Sequence, residues 1–405
     1  MTENQFPKLR AVDPRPIVHA GQPAILLRDP LRLTERSVVI PQQLAPLLAL
    51  CDGTRDVSGL RASLVVRFGL RAGLAAVEQC VATLDEALLL DNEHFAQARE
   101  RALAAYRQAP FRPLVLAGQS YPADADTLRR LLDDYLAAVD EKRHPSATGR
   151  GLLSPHIDYA RGGPVYAAVW KRATDAVQAA DLVVLLGTDH YGADAHLTLT
   201  RQHYSTPFGV LPTARDVVDA LAQVIGQDTA FADELHHRSE HSIELAAVWL
   251  HHLRAGQPCK LVPILCGSFG HFVQDEADLK RDPAINALVD TLRGTIAGRQ
   301  ALVVASADLS HVGPAFGGTA LNLVTRARLQ ATDDQLIERI CAGDAGGFFA
   351  AIRRDGDRHN VCGLPPIYVA LRILSPTQGE RVAYDRCPAD ERGTSAVSVC
   401  GIIFH

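Results

Sequence analysis

The feature that most constrains this chain is a recurring short apolar run: "GLLSPH", "DLVVLLG", "KLVPILCG" and "ALVVAS", each separated from the next by a helical pattern. Continuous apolar runs of this length fit strands buried on both faces better than half-exposed strands, which alternate. The segments "GPVYAAVWKRATDAV" and "SIELAAVWLHHLRA", and the stretch ending near "LVDTLRGTIAG", read as helices; a hairpin is expected around "AHLTLTRQHYSTPFGVL". Such β-α-β alternation predicts an α/β domain whose central sheet is covered by helices on both faces. None of the apolar runs is long enough to span a bilayer, so no membrane partner is expected.

The first hundred residues read differently. After an extended, proline-punctuated start come the helical patterns "PQQLAPLLALCDG", "DVSGLRASLVVRFG" and "LAAVEQCVATLDEALLL". In the last, Val77, Cys80, Val81, Leu84 and Leu88 fall three or four residues apart, the spacing of one helical face. A charged helix, "NEHFAQARERALAAYRQ", then leads to "APFRP", whose two prolines mark a boundary. Two domains are therefore expected, residues 1–108 and 109–405. The first resembles a small winged-helix module, and "LLALCDGTRDVSGLRASLVVRFG" with "LDEALLLDNEHF" is similar to PqqD-like peptide-recognition domains. A helical cap that only packs on the larger domain is the alternative.

Charge and cysteine usage exclude several classes. A formal net charge of -5 with no local cluster of Lys and Arg leaves no footprint for nucleic acid. The eight cysteines are scattered singly, without a C-x-x-C pair, as expected of reduced thiols in a cytoplasmic protein. The start, "MTENQFPKLRAVDPRP", lacks the apolar core of a secretory signal, so cytoplasmic localisation is expected.

Three of the apolar runs end in groups that can bind a metal. "GLLSPHIDY" gives His156, "VVLLGTDHYG" gives Asp189 and His190, and "VVASADLSHVG" gives Asp308 and His311. Ligands bind outside the carboxyl ends of strands in open α/β sheets, and side chains from neighbouring strand ends can converge there. Imidazole suits zinc, iron, copper and nickel, and a carboxylate beside two histidines is the pattern of open non-haem iron sites. Asp189 and Asp308 could each be a ligand or orient an imidazole. Asp308 could instead cap the turn after its strand.

Two further segments carry candidate chemistry. In "RSEHSIELAAVWL", Glu240, His241 and Glu244 open a helix, with His241 and Glu244 on one face by i, i+3 spacing. His241 is a candidate general base or proton donor; the alternative is a helix start with Ser239 as N-cap. The pairs His236-His237 and His251-His252 are expected on the solvated surface. In "HNVCGLPPIYVALRIL", Cys362 precedes a turn that opens an apolar helix, whose positive end would lower a thiol pKa. It reads either as a thiolate for a metal or a nucleophile, or as an inert buried cysteine.

Taken in order, "LAGQSYPADADTLRRLLDDYL", "SPHIDY", "LLGTDHYG", "EHSIEL", "VPILCG", "SADLSHVG", "CGLPPI" and "SAVSVCGIIFH" make residues 111–405 resemble the Memo family, also called AmmeMemoRadiSam system protein B. The family is similar in fold to class III extradiol dioxygenases, which hold non-haem iron and cleave catecholic rings. Position by position, the resemblance implies His156, His190 and Cys362 as metal ligands, with Asp308 and His311 facing the same pocket. The first motif departs from the family's Pro-His-Ala-Gly-Tyr at Ile157 and Asp158, and Tyr191 stands where a second histidine is usual. Asp158 is expected to add a carboxylate near the pocket and Tyr191 a phenol.

These readings converge on a mononuclear metal protein, iron first with zinc or copper as alternatives, performing redox chemistry on a small or peptide-borne substrate. His241, Asp308 and His311 are the expected catalytic groups. The alternatives are a non-enzymatic partner in a peptide- or protein-modification system, with residues 1–108 gripping a leader peptide or a radical-SAM partner, and a zinc-dependent hydrolase.

Overall fold

The computed structural model describes residues 6–12, 14–140, 149–192, 197–274 and 277–405. The chain divides into two compact units, residues 1–108 and 109–405.

The first unit opens with β1 (Arg15–His19), β2 (Gln22–Arg28) and β3 (Ser37–Pro41), an antiparallel sheet that the helical patterns gave no reason to expect. The β1–β2 turn is Ala20-Gly21, with φ of 49° and 75°. A two-residue hairpin needs positive φ at both positions, normally supplied by Asn-Gly. Alanine hides that signal. The expected helices form at Val57–Phe68, capped by Asp56 and closed by Gly69, and at Leu74–Glu86. Leu27, Val38 and Ile40 from the sheet join Leu60, Leu64, Val77, Val81 and Leu84 from the helices in one core.

Among the described residues, the second unit is built on a sheet of eight strands. They are β4 (Gly151–Ser154), β5 (Leu182–Thr188), β6 (Leu197–Leu199), then, beyond a separate hairpin of β7 (Tyr204–Thr206) and β8 (Gly209–Leu211), β9 (Lys260–Cys266), β10 (Ala301–Ser306), β11 (His311–Val312), β12 (Gly379–Pro388) and β13 (Ala396–Phe404). Their order is β11-β13-β4-β10-β5-β9-β6, with β12 on the far side of β13. β4, β10, β5 and β9 run parallel, and the remaining strands add antiparallel to their flanks.

The apolar strands feed two cores because successive side chains point to opposite faces. Leu153, Val184, Leu186, Val303 and Ala305 pack under helices Arg215–Ile225, Pro283–Ile296 and Leu364–Leu374. Leu152, Val183, Leu185, Leu302 and Val304 pack under helices Ala125–Ala137, Tyr159–Arg172 and Ser242–Leu253. Helices thus cover both faces, as the alternation predicts.

Register decides where the functional groups emerge. Ser306 at the end of β10 pairs with Ser154 at the end of β4 and with Gly187 near the end of β5. Thr188 pairs with Cys266 at the end of β9. Parallel strands that finish level with one another deliver the residues after them to one rim.

Candidate metal centre

That rim brings together His156 after β4 and His190 after β5. A third imidazole, His241, arrives from the start of helix Ser242–Leu253, which sits close because β5 has a glycine there. A Cβ on Gly187 would lie 2.5 Å from Ser242 Oγ. Ser242 Oγ donates to Thr188 O at 2.9 Å, and Ser306 Oγ donates to Ser242 O at 2.6 Å, pinning the helix start to two strand ends.

The ring centroids lie 5.1 Å apart for His156 and His190, 5.4 Å for His156 and His241, and 4.6 Å for His190 and His241. One nitrogen from each falls within 4.8 Å of the others, an arrangement that could hold a metal ion. Each ring is also held through its other nitrogen. His156 Nδ1 lies 3.0 Å from Ser306 O, His190 Nδ1 3.1 Å from Glu240, and His241 Nδ1 3.0 Å from Glu240. Metal-binding histidines are oriented in this way, by an acceptor on the nitrogen that does not face the ion. The donor set therefore fits a transition metal.

Cys362 Sγ lies 3.3 Å from His156 Nε2. Burial alone would raise the pKa of this thiol, but His156 and His311 nearby hold it well below the ordinary range, as a thiolate. The same field acts in reverse on His156. Burial would depress its pKa, yet Asp308 and Cys362 raise it to about 9. His190 is raised against its own burial by Glu240, and the buried Glu240 is lowered by His190 and His241.

The carboxylates divide the supporting work. Asp308 Oδ1 accepts the backbone N–H of His156 at 2.8 Å, and its Oδ2 lies 3.7 Å from His156 Nε2. Glu240 Oε1 also accepts the N–H groups of His241 and Ser242, capping the helix in place of Ser239, whose buried hydroxyl has no partner among the described residues. Glu244 turns away from His241 despite their spacing. It accepts from Arg112, Tyr121 and the N–H groups of Val115 and Leu116 in the interior. His311 sits edge-on to Phe316, ring centroids 5.0 Å apart, at the end of the β10 loop.

Several neighbours differ from their expected places. Asp158 caps helix Tyr159–Arg172 and pairs with Arg161 instead of adding a free carboxylate to the pocket. The paired histidines are not solvated: His236, His237 and His251 are buried. Their ring nitrogens find acceptors and donors inside, His236 at Asp189, His237 at Thr198 O and Tyr204, and His251 at Gly256 O and Thr206. Hydrogen bonds from neighbouring elements offset desolvation that the sequence alone makes look prohibitive. Tyr191 is partly exposed and packs against His236.

A cleft of about 540 Å³ opens beside His190 and Cys362, between the segment after β9 and the loop before Leu364–Leu374. That volume is in the range of small-molecule sites.

A family profile described as Memo-like protein matches residues 112–403. The chain belongs to the Memo-like family. A "MEMO1 family protein" of Aquifex aeolicus is 27% identical over 98% of this chain and 100% of its own length. "MEMO1 family" proteins of Methanosarcina barkeri and Methanopyrus kandleri are 28% and 29% identical over 66% of this chain, and 90% and 89% of theirs. These archaeal Memo-like proteins are matched over nearly their whole length by two thirds of this chain. The Aquifex match, over 98% of this chain, is long enough to take in the N-terminal unit.

Proposed function

We propose that the Memo-like unit holds one transition-metal ion, iron first with zinc or copper as alternatives, between His156, His190 and Cys362, with His241 facing the same point. The convergence of three imidazoles, each oriented through Nδ1, carries this reading. When bound, the ion supplies Lewis-acid and redox chemistry at the head of the cleft. Asp308 fixes the backbone of His156, Glu240 keeps two rings aligned, and His241 and His311 stand beside the centre as proton carriers. The substrate is a small or peptide-borne molecule, and the reaction is an oxidoreduction.

Anaerobic purification followed by elemental analysis tests this in the wild type and in a His156→Ala, His190→Ala double variant. Stoichiometric transition metal that the double variant loses supports the reading. A wild type without it under every loading condition overturns it.

We further propose that residues 1–108 act as a PqqD-like recognition module for a leader peptide or a radical-SAM partner. Support comes from the unit's own core and from archaeal relatives whose match covers only two thirds of this chain but 90% of one of them. Deleting residues 1–108 should abolish partner binding and leave the metal content intact.

A further inference from the structure

The cleft beside the metal centre has a charge asymmetry. Among the described residues lining it there is no Lys and no Arg, while two carboxylates face it, Asp189 and Asp357. They are not equivalent. Asp189 is paired with His236, whose Nδ1 lies 2.8 Å from Oδ2. Asp357 has no ion-pair partner at hydrogen-bonding distance among the described residues, and only His359 lies close enough to act on it as a positive charge. Its Oδ1 accepts the backbone N–H of Val361 at 2.9 Å, and Oδ2 has no donor among the described residues. Burial, with Asp355 and Cys362 adding negative charge nearby, raises its pKa to about 6 against Val361 N–H and His359, which leaves it mainly ionised at neutral pH.

Apolar side chains also line the cleft: Phe269, Val273, Val361, Leu364 and Pro365. A carboxylate with one free oxygen, set in a walled cleft, disfavours anionic ligands and lacks the charge-assisted hydrogen bond that a cationic donor would give it.

We propose that this cleft takes a compact aromatic or apolar molecule bearing a primary ammonium or amidinium group, and that Asp357 selects it. The apolar lining covers the body of the molecule, Asp357 Oδ2 receives the N–H of the cation, and the opposite end points toward His190 and Cys362. This rests on reading the cleft as the substrate side of the metal centre. Asp357 is a specificity residue and stands outside the proposed ligand set.

Three probes of similar size separate charge from shape: phenethylamine, 2-phenylethanol and 3-phenylpropionate. Their binding is titrated calorimetrically on the full chain, both metal-loaded and chelator-treated, with metal measured on the same samples. In chelator-treated wild type, phenethylamine should bind at least about ten-fold tighter than 3-phenylpropionate, and Asp357→Asn should reduce that preference to within about two-fold. Asparagine keeps an acceptor for Val361 N–H while removing the charge. Ser268→Lys, at an exposed lining position, adds a cation and should narrow the preference in the same direction even if Asp357→Asn does not fold.

Equal binding of cation and anion by wild type overturns the inference, as does failure of all three to bind at millimolar concentration, or a preference untouched by both variants. A preference that persists in protein unable to hold metal supports the cleft assignment while the metal reading fails. Stoichiometric metal without charge preference does the reverse.

Discussion

Both carboxylate oxygens of Glu240 lie 3.1 Å from Nδ1 of His190. The same carboxylate holds His241 Nδ1 at 3.0 Å and caps the helix that carries it. One buried acid thus sets the orientation of two of the three rings. Removing its charge should leave the rings in place but looser and less basic. Glu240→Gln is expected to weaken metal affinity about 10- to 100-fold with the fold retained. Competition with a chromophoric chelator measures this, and unchanged affinity would mean that packing alone orients the rings.

Behind Glu240 lies Arg112, fully buried, donating to Glu240 O and His237 O at 2.8 Å each and pairing with Glu244. Truncating one partner of a buried pair strands the other charge. Arg112→Met is therefore expected to destabilise the second unit by about 3–5 kcal/mol. Adding Glu244→Gln should restore much of that loss. Urea unfolding followed by tryptophan fluorescence is the measurement, because both tryptophans, Trp170 and Trp249, are buried in this unit. A single variant as stable as wild type would contradict the account.

How far the sequence could be read follows from the same residues. Strands buried on both faces leave an unbroken apolar signature, so β4, β5, β9 and β10 and the polar groups at their ends were legible. His156, His190 and Asp308 sit where strand-end reasoning puts them, and His241 was visible as a histidine at a helix start. What pattern could not supply was partnership across the fold. Glu240 serves His190, fifty positions away, while Glu244, better spaced for His241, serves Arg112. Adjacent histidines look solvated because acceptors such as Thr198 O for His237 and Asp189 for His236 come from β6 and the end of β5, whose positions only the sheet register fixes. The first hairpin leaves no turn signature, because alanine occupies a left-handed turn position.

His237 provides a test in pH. Burial, with Arg112 and His236 adding positive charge nearby, lowers its pKa to about 3. In the unfolded chain it titrates near the ordinary value of about 6.5. Between these values the unfolded state binds a proton that the folded state does not, so stability falls as pH drops from about 6.5 toward 3. The contribution approaches about 1.4 kcal/mol per pH unit. His237→Gln should flatten the stability–pH curve in that window relative to wild type. Parallel slopes for the two proteins between pH 4 and 6 would show that His237 is not held neutral.

The last prediction concerns which cysteine reacts. All eight thiols are free, and burial raises the pKa of Cys51, Cys80, Cys259, Cys266, Cys341, Cys387 and Cys400. Cys362 alone is lowered, by His156 and His311 against its burial, and it lines the open cleft. The thiolate is the nucleophile, so in metal-free protein near pH 6.5 iodoacetamide should label Cys362 first. Cys80 and Cys341 share its partial exposure and are the internal comparison. A metal bound through the sulfur would block the reaction, so loading the centre should suppress Cys362 labelling selectively. Peptide mass spectrometry over a time course resolves both effects. Labelling of Cys80 or Cys341 at the rate of Cys362 would show that the imidazoles do not hold a thiolate there, and labelling that ignores added metal would remove the sulfur from the ligand set.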